Sequence, residues 1–234
     1  ISVEHKKYRK KTEINSIQQL RIRIYGIIIT ISLKCFCYKC FFLDSVDALP
    51  LPHCDNVTIV SRNAWDARPS KAINYMGTPV TVVFIHHTSM SECFTKDDCA
   101  QEMRTIQNFH MDTRGWDDIG YNFLIGEDGK AYEGRAWDRI GAHTYGWNDV
   151  AIAFSIMGDY SNKLPNDAAL HAVKAMIECG IQLGKITSDY KMYGHRDVRN
   201  TECPGDSLYG LINTWDHFDA NVPVKPTPKP YRPT

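Results

Sequence analysis

Two rhythms of hydrophobic and polar positions alternate along this chain. Val57–Val60 and Val80–Ile85 read as strands, and the second, VTVVFI, is apolar along its length and so belongs near the middle of a sheet. Tyr121–Ile125 reads as a further strand, Glu127-Asp128-Gly129-Lys130 as a tight turn, and Ala131–Glu133 as the returning hairpin partner. Ala151–Met157 is another buried strand, and Lys191–Tyr193 is a short one running into Gly194-His195-Arg196. Between them the spacing turns helical. Thr95 is the N-cap of a helix through about Met111, with Asp97 and Asp98 in its first turn and Ala100, Met103, Ile106, Gln107 and His110 along one side. Pro165 opens a helix to about Gly184, with Ala169, Ala172, Val173, Met176, Ile177 and Ile181 at helical spacing. Asp206–Trp215 is the last, with Leu208, Leu211, Ile212 and Trp215 inward. Strands alternating with helices predict an α/β domain, a central and mostly mixed sheet flanked by about three helices.

The two ends do not share this pattern. Residues 1–50 form a leader that is basic up to Arg23 and apolar from Ile24 to Leu33, with a small-x-small triplet at Val46-Asp47-Ala48. It reads as a signal segment with a long basic stretch, and hence as export. Lys34 and Lys39 interrupt Ile24–Leu43, which makes it a poor membrane-spanning helix, although an uncleaved anchor is the alternative. Residues 54–218 hold the folded pattern, and 219–234 are Pro-rich, a stiff and solvated tail. The 27 Lys and Arg balance the 27 Asp and Glu, but residues 1–40 carry nine basic against two acidic side chains. The leader is therefore +7 and the remainder −7. A mildly acidic folded region argues against nucleic acid as a partner.

Eight cysteines sharpen the picture. Cys35, Cys37 and Cys40 fall in the leader. Cys93 and Cys99 flank a short polar loop that a disulfide can close without strain. Cys54 and Cys179 remain as candidates for a long-range pair. Cys203 is then left over, and an unpaired cysteine in an exported domain points to a reactive thiol or a metal ligand.

Candidate chemistry gathers around that cysteine. His86 and His87 end the apolar strand, and because successive strand residues face opposite ways, only one of them can look into a given pocket. His195 and Cys203 lie eight apart in the loop GHRDVRNTECPG. One strand-end histidine plus this loop supplies three zinc ligands, and a catalytic zinc takes three protein ligands with a fourth position open for water. Such a metal lowers the pKa of water and polarises a scissile carbonyl. The bland alternative is that the histidines are ordinary polar residues and Cys203 pairs with another cysteine.

The motifs FIHHT (84–88), GWDDIGYNF (115–123), YEGRAW (132–137), GAHTYGWN (141–148) and GHRDVRNTECPG (194–205) resemble those of peptidoglycan recognition proteins, most nearly the catalytic insect members. These proteins share a fold with phage-type N-acetylmuramoyl-L-alanine amidases. The resemblance runs from about Val57 to His217, in family order. It implies Zn2+ held by His86, His195 and Cys203, with Tyr121 as the catalytic tyrosine. Thr201 stands where the phage-type enzymes have a lysine and is the second catalytic candidate, assisting the tetrahedral intermediate; a threonine offers no cation there, so it ranks below Tyr121. The resemblance also implies a Cys93–Cys99 bridge, widely shared in the family, and a Cys54–Cys179 bridge found in part of it.

For the substrate groove the resemblance points to His87, Thr88, His110, Arg114, His143 and Asn148 as contacts for a muramyl peptide. His110 also fits a core role, and His143 and Asn148 a loop hydrogen bond. Gly115-Trp116 accompanies meso-diaminopimelate at the third stem position, and Arg135 matches the arginine that reads its extra carboxylate through two parallel hydrogen bonds. An internal ion pair with Glu133 or Asp138 is the competing role for Arg135. The expected function is a secreted, monomeric zinc amidase that cuts the lactyl–L-alanine bond of Dap-type peptidoglycan. It would thereby scavenge immune elicitors and damp innate immune signalling. A receptor that binds muramyl peptides without cutting them is the rival, and the intact ligand set with Tyr121 counts against it.

Overall fold

A computed structural model describes residues 17–24, 27–34 and 54–233. It divides into two units. In the first, strands β1 (Ile17–Ile24) and β2 (Ile27–Lys34) pair antiparallel from Ile17 opposite Lys34 to Ile24 opposite Ile27. Of the leader's apolar run, Ile24 and Ile27–Leu33 therefore lie in strands, in keeping with its many β-branched isoleucines. The triplet Val46–Ala48 lies outside the described residues.

The second unit holds a mixed six-stranded sheet and three α-helices. Its strands are β3 (Ile59–Val60), β4 (Val80–His87), β5 (Phe123–Ile125), β6 (Ala131–Glu133), β7 (Ala151–Ile156) and β8 (Ile186–Gly194), in spatial order β3-β6-β5-β7-β4-β8. All neighbours are parallel except the β5–β6 hairpin. As its apolar sequence requires, β4 lies inside the sheet, between β7 and β8. On one face, Val83, Ile85, Phe123, Ile125, Ile152, Phe154 and Ile156 pack on helices α2 (Asp167–Gln182) and α3 (Asp206–Ile212). On the other, Leu124 and Tyr132 meet helix α1 (Lys96–Asn108) through Cys99, Met103 and Ile106.

Capping follows the sequence closely. Thr95 Oγ accepts from the Asp98 N–H at 3.2 Å, and Asn166 Oδ1, one residue past Pro165, accepts from the Ala169 N–H at 2.9 Å. Each cap contributes about 1 kcal/mol. Gly184, at φ +65°, supplies the left-handed turn that ends α2.

Several boundaries differ from the sequence reading. The first strand shrinks to Ile59–Val60, and β4 runs on to His87. The α1 helix stops at Asn108, and Phe109–Thr113 continue as a π turn closed by the Arg114 N–H on Phe109 O at 3.1 Å. The third core strand begins at Phe123, because the carbonyls of Tyr121 and Asn122 accept from the turn residues Arg135 and Gly134. Strand β8 extends back to Ile186, since an edge strand tolerates the polar, exposed Ser188 and Asp189 that hide its strand character in the sequence. The last helix ends at Ile212, with Trp215 in the turn beyond.

Cys93–Cys99 and Cys54–Cys179 are bonded, and Cys203 is the free cysteine among the described residues. The 125-residue span between Cys54 and Cys179 ties the start of the domain to α2. The Pro-rich tail is solvated at Val222 and Val224, yet it is tethered. Lys225 pairs with Asp149 at 2.8 Å, Lys229 donates to Pro79 O, and Tyr231 stacks on Tyr75 with ring centroids 4.5 Å apart. The tail backbone passes so close to Gly77 that a β-carbon there would overlap Lys229. Among the described residues no helix is long and apolar enough to cross a membrane.

Candidate active site

Alternation along β4 decides between the two adjacent histidines. His86 shares a face with Val82 and Phe84, and in register it sits opposite Ser155 of β7. Its ring is buried, 1% exposed, and lies 4.5 Å from the ring of His195, which follows β8 directly. Cys203 Sγ lies 3.5 Å from His86 Nδ1. The ligand atoms of His86, His195 and Cys203 all fall within 4.8 Å of one another. His87 turns to the opposite face, where its Nδ1 accepts from the Tyr160 N–H at 3.2 Å.

The chemistry of this donor set fits a divalent metal. Burial lowers the pKa of His86, and the charges of His195, His143 and His87 lower it further. Burial, with Arg199 and His87 adding to it, takes His195 down to about 4. Both imidazoles are neutral at physiological pH, as metal ligands must be. Burial pushes the Cys203 thiol up to about 12, so only a cation beside it would displace its proton. Three converging donors, N, N and S, are the set expected of a zinc site with one position left open.

A groove of about 650 Å³ opens beside these ligands. Of the residues expected in it, Thr88, His110, Arg114, Trp116, Tyr121, His143, His195 and Thr201 line it together. Asn148 lines an adjoining hollow with Tyr145 and Arg199. There its Oδ1 accepts from the N–H groups of His143 and Thr144 at 2.9 and 2.8 Å, so it also staples that loop. Gly115 is exposed at φ +72°, a conformation that favours glycine, and turns the chain into Trp116. Trp116 lies against His110, ring centroids 4.6 Å apart. His110 serves two purposes: it faces the groove, and its Nδ1 accepts from the Gly120 N–H at 3.1 Å. Burial takes its pKa down to about 4.

Tyr121 sits 5.4 Å from His86, ring to ring. Burial first, then the Cys203 side chain, raise its pKa far above that of a free phenol, so it stays protonated and can donate. Thr201 Oγ1 accepts from the Cys203 N–H at 3.2 Å and so supports the ligand loop as well as facing the groove.

Two expected contacts stand back from the groove. His87 is one. Arg135 is the other: it is buried, and its guanidinium donates to the carbonyls of Ile119 and Ile140 at 2.8 Å and of Asp118 at 3.4 Å. Neither Glu133 nor Asp138 pairs with it; their partners include the Arg62 N–H and Lys185. Sequence reasoning missed Met90, Phe109, Tyr145 and Arg199 as lining residues. Tyr145, 79% exposed, and Phe109, 36% exposed, are large aromatics left in water beside a motif, and their polar neighbours give that signal in part.

Comparison with known proteins settles the family. Residues 76–206 match the family model described as N-acetylmuramoyl-L-alanine amidase. Peptidoglycan recognition protein 1 of Bos indicus is 44% identical over 162 residues, which cover 69% of this chain and 85% of that protein. This chain belongs to the peptidoglycan recognition protein family. Among solved structures, wild-type Drosophila PGRP-LB superposes with a TM-score of 0.69 at 42% identity, covering 70% of this chain and 96% of that one. A tyrosine-to-phenylalanine mutant of the same protein, solved in complex with tracheal cytotoxin, gives 0.68 at 42% identity over 70% and 98% of the two chains.

Proposed function

We propose that this peptidoglycan recognition protein is a secreted, zinc-dependent N-acetylmuramoyl-L-alanine amidase. It hydrolyses the lactyl–L-alanine amide of peptidoglycan and muramyl peptides, with a preference for the Dap type. The observation that carries the reading is Cys203 beside His86 and His195, with all three ligand atoms within 4.8 Å of one another and His195 lining the groove. When bound there, zinc would supply Lewis acidity toward water and the scissile carbonyl. The chain's own residues do the rest. The groove walls, Thr88 and Trp116 among them, orient the stem peptide, and His195 and Tyr121 face the same space. The Tyr121 hydroxyl donates to the carbonyl oxygen as negative charge gathers on it, a role worth about 10²–10³ in rate.

Gly115-Trp116 supports the Dap preference. Arg135 would reach a ligand carboxylate by exchanging its longest carbonyl contact, the 3.4 Å bond to Asp118 O. The complex of a Drosophila relative with tracheal cytotoxin supports muramyl-peptide binding by this chain. Two disulfides in the domain accord with an oxidising, extracellular setting. In that setting the monomeric enzyme would remove immune elicitors and restrain innate signalling.

The test is mass spectrometry of a Dap-type muramyl peptide after incubation with the full chain, with and without a zinc chelator. Free stem peptide that disappears on chelation is the expected result. Intact substrate with zinc-loaded, folded protein would replace this reading with that of a receptor that binds and does not cut.

A further inference from the structure

Thr144 has no place in the groove, yet it is fully buried between two functional histidines. Its Oγ1 lies 3.1 Å from His86 Nε2 and 2.9 Å from His143 Nδ1. A hydroxyl has one proton, so it donates to one of these nitrogens and accepts from the other. His86 turns Nδ1 toward Cys203 Sγ, at 3.5 Å. A nitrogen offered as a ligand presents its lone pair, which puts the proton of neutral His86 on Nε2. That Nε2–H donates to Thr144. The Thr144 hydroxyl is then left to donate to Nδ1 of His143, and the proton of His143 falls on Nε2. This Nε2 is buried and finds no partner in the protein, while its ring lines the groove.

The surrounding backbone holds the arrangement still. Asn148 Oδ1 takes the N–H groups of both His143 and Thr144, and a β-carbon at Gly141 would overlap the His143 ring.

We propose that Thr144 is a positioning residue that sets the tautomers of two histidines at once. It presents Nδ1 of His86 as a ligand and holds the proton of His143 on the buried Nε2. The inference rests on the zinc-amidase reading, which it deepens. Such partners of a metal-bound histidine typically contribute about 10–100-fold in metal affinity.

The experiment compares the full-length wild-type protein with Thr144→Val, which keeps the shape and loses the hydroxyl, and Thr144→Ser, which keeps the hydroxyl. Zinc affinity is read by competition with a chromophoric chelator, and histidine tautomers by long-range nitrogen–proton NMR on metal-free and zinc-loaded samples. The expected result has three parts. His143 is protonated on Nε2 in the wild type. Thr144→Val binds zinc about 10–100-fold more weakly and loses the single His143 tautomer. Thr144→Ser restores both. Wild-type His143 protonated on Nδ1 overturns the proposal, as does a folded Thr144→Val protein with unchanged zinc affinity and tautomer. A wild type that binds no zinc removes the amidase reading, and the metal-free spectra still decide whether Thr144 sets the His143 tautomer.

Discussion

Strands β4 and β7 present two unlike surfaces from one register. On the helix-covered face, Val83, Ile85, Ile152, Phe154 and Ile156 are sealed by α2 and α3. On the other, Val82, Phe84, Ala151 and Ala153 give way at the next step to His86 opposite Ser155. Both faces are dry, but only the first is apolar to its end. Its burial stabilises the domain by roughly 1.5–3 kcal/mol for each large side chain. The site face gives up such gains and buries His86, His143, Thr144, Ser155 and Cys203. Buried polar groups cost free energy unless they find partners. Here His86, Thr144 and Cys203 partner one another and offer atoms to the metal that the set fits, whereas Ser155 Oγ and His143 Nε2 are left without a partner. One face holds the fold and the other spends part of that stability on chemistry, so substitutions on the two faces should separate stability from activity.

The sharpest separation is Cys203→Ser. It removes the soft ligand and should reduce hydrolysis to the level left by chelation, a larger loss than the about 10²–10³-fold expected for Tyr121→Phe. Unfolding of the metal-free protein should scarcely change. Release of stem peptide by the serine variant at the wild-type rate would show that the three donors are not the reacting centre.

On the sealed face the reverse holds. Phe154→Ala, at a side chain with no exposure, should cost about 3–5 kcal/mol of stability. Denaturant unfolding reads that loss. Where the variant remains folded, its preference among muramyl peptides should match the wild type. A changed preference with little loss of stability would mean the two faces are coupled.

A third test uses pH on the chelated protein. Burial takes His110 down to about 4 in the folded domain, below the ordinary 6.5 of an imidazole. As pH falls, the unfolded chain binds its proton first. The stability that neutral His110 contributes is therefore complete above about 6.5 and is lost between 6.5 and 4, by up to about 1.4 kcal/mol per pH unit. His110→Asn keeps an acceptor for the Gly120 N–H and abolishes the titration. Urea melts across this window should show a flatter pH dependence for the variant; an unchanged slope would assign the loss to other groups.

Much of this contrast was legible in the sequence. The apolar run of β4 and the helical spacing of α2 announced the sealed face, and Cys203 as the odd cysteine announced the site. Alternation showed that His86 and His87 diverge, but which one meets Cys203 depends on the pairing of β4 with β7 and β8, which no local pattern encodes. Arg135 matched a ligand-reading motif, whereas its three carbonyl partners come from loops that only the fold brings to it. Thr144 carried no signal, because a buried threonine in a loop looks like any other turn residue. The tail read as solvated, and its anchors at Asp149, Pro79 and Tyr75 lie 76 or more positions away in the chain.

The smallest expected effect lies one residue from the largest stability loss. Ser155 is buried opposite His86, and its hydroxyl sits near the Tyr121 phenol without meeting hydrogen-bond geometry. Ser155→Ala removes a buried polar group that has no hydrogen bond to lose, so its cost should stay below about 1 kcal/mol and could fall to zero. The ease of ionising Tyr121 should decrease slightly, because the hydroxyl favours the phenolate. On the proposed amidase reading the phenol acts protonated, so the rate at neutral pH should hold within about twofold of wild type, a change of under about 0.5 kcal/mol. Paired with Phe154→Ala, this gives adjacent residues, equally buried, whose removal differs by several kcal/mol because one faces the sealed core and the other the site. A Ser155→Ala loss as large as that of Phe154→Ala would mean that the site face is held by its polar groups, and the division of labour between the faces would fail.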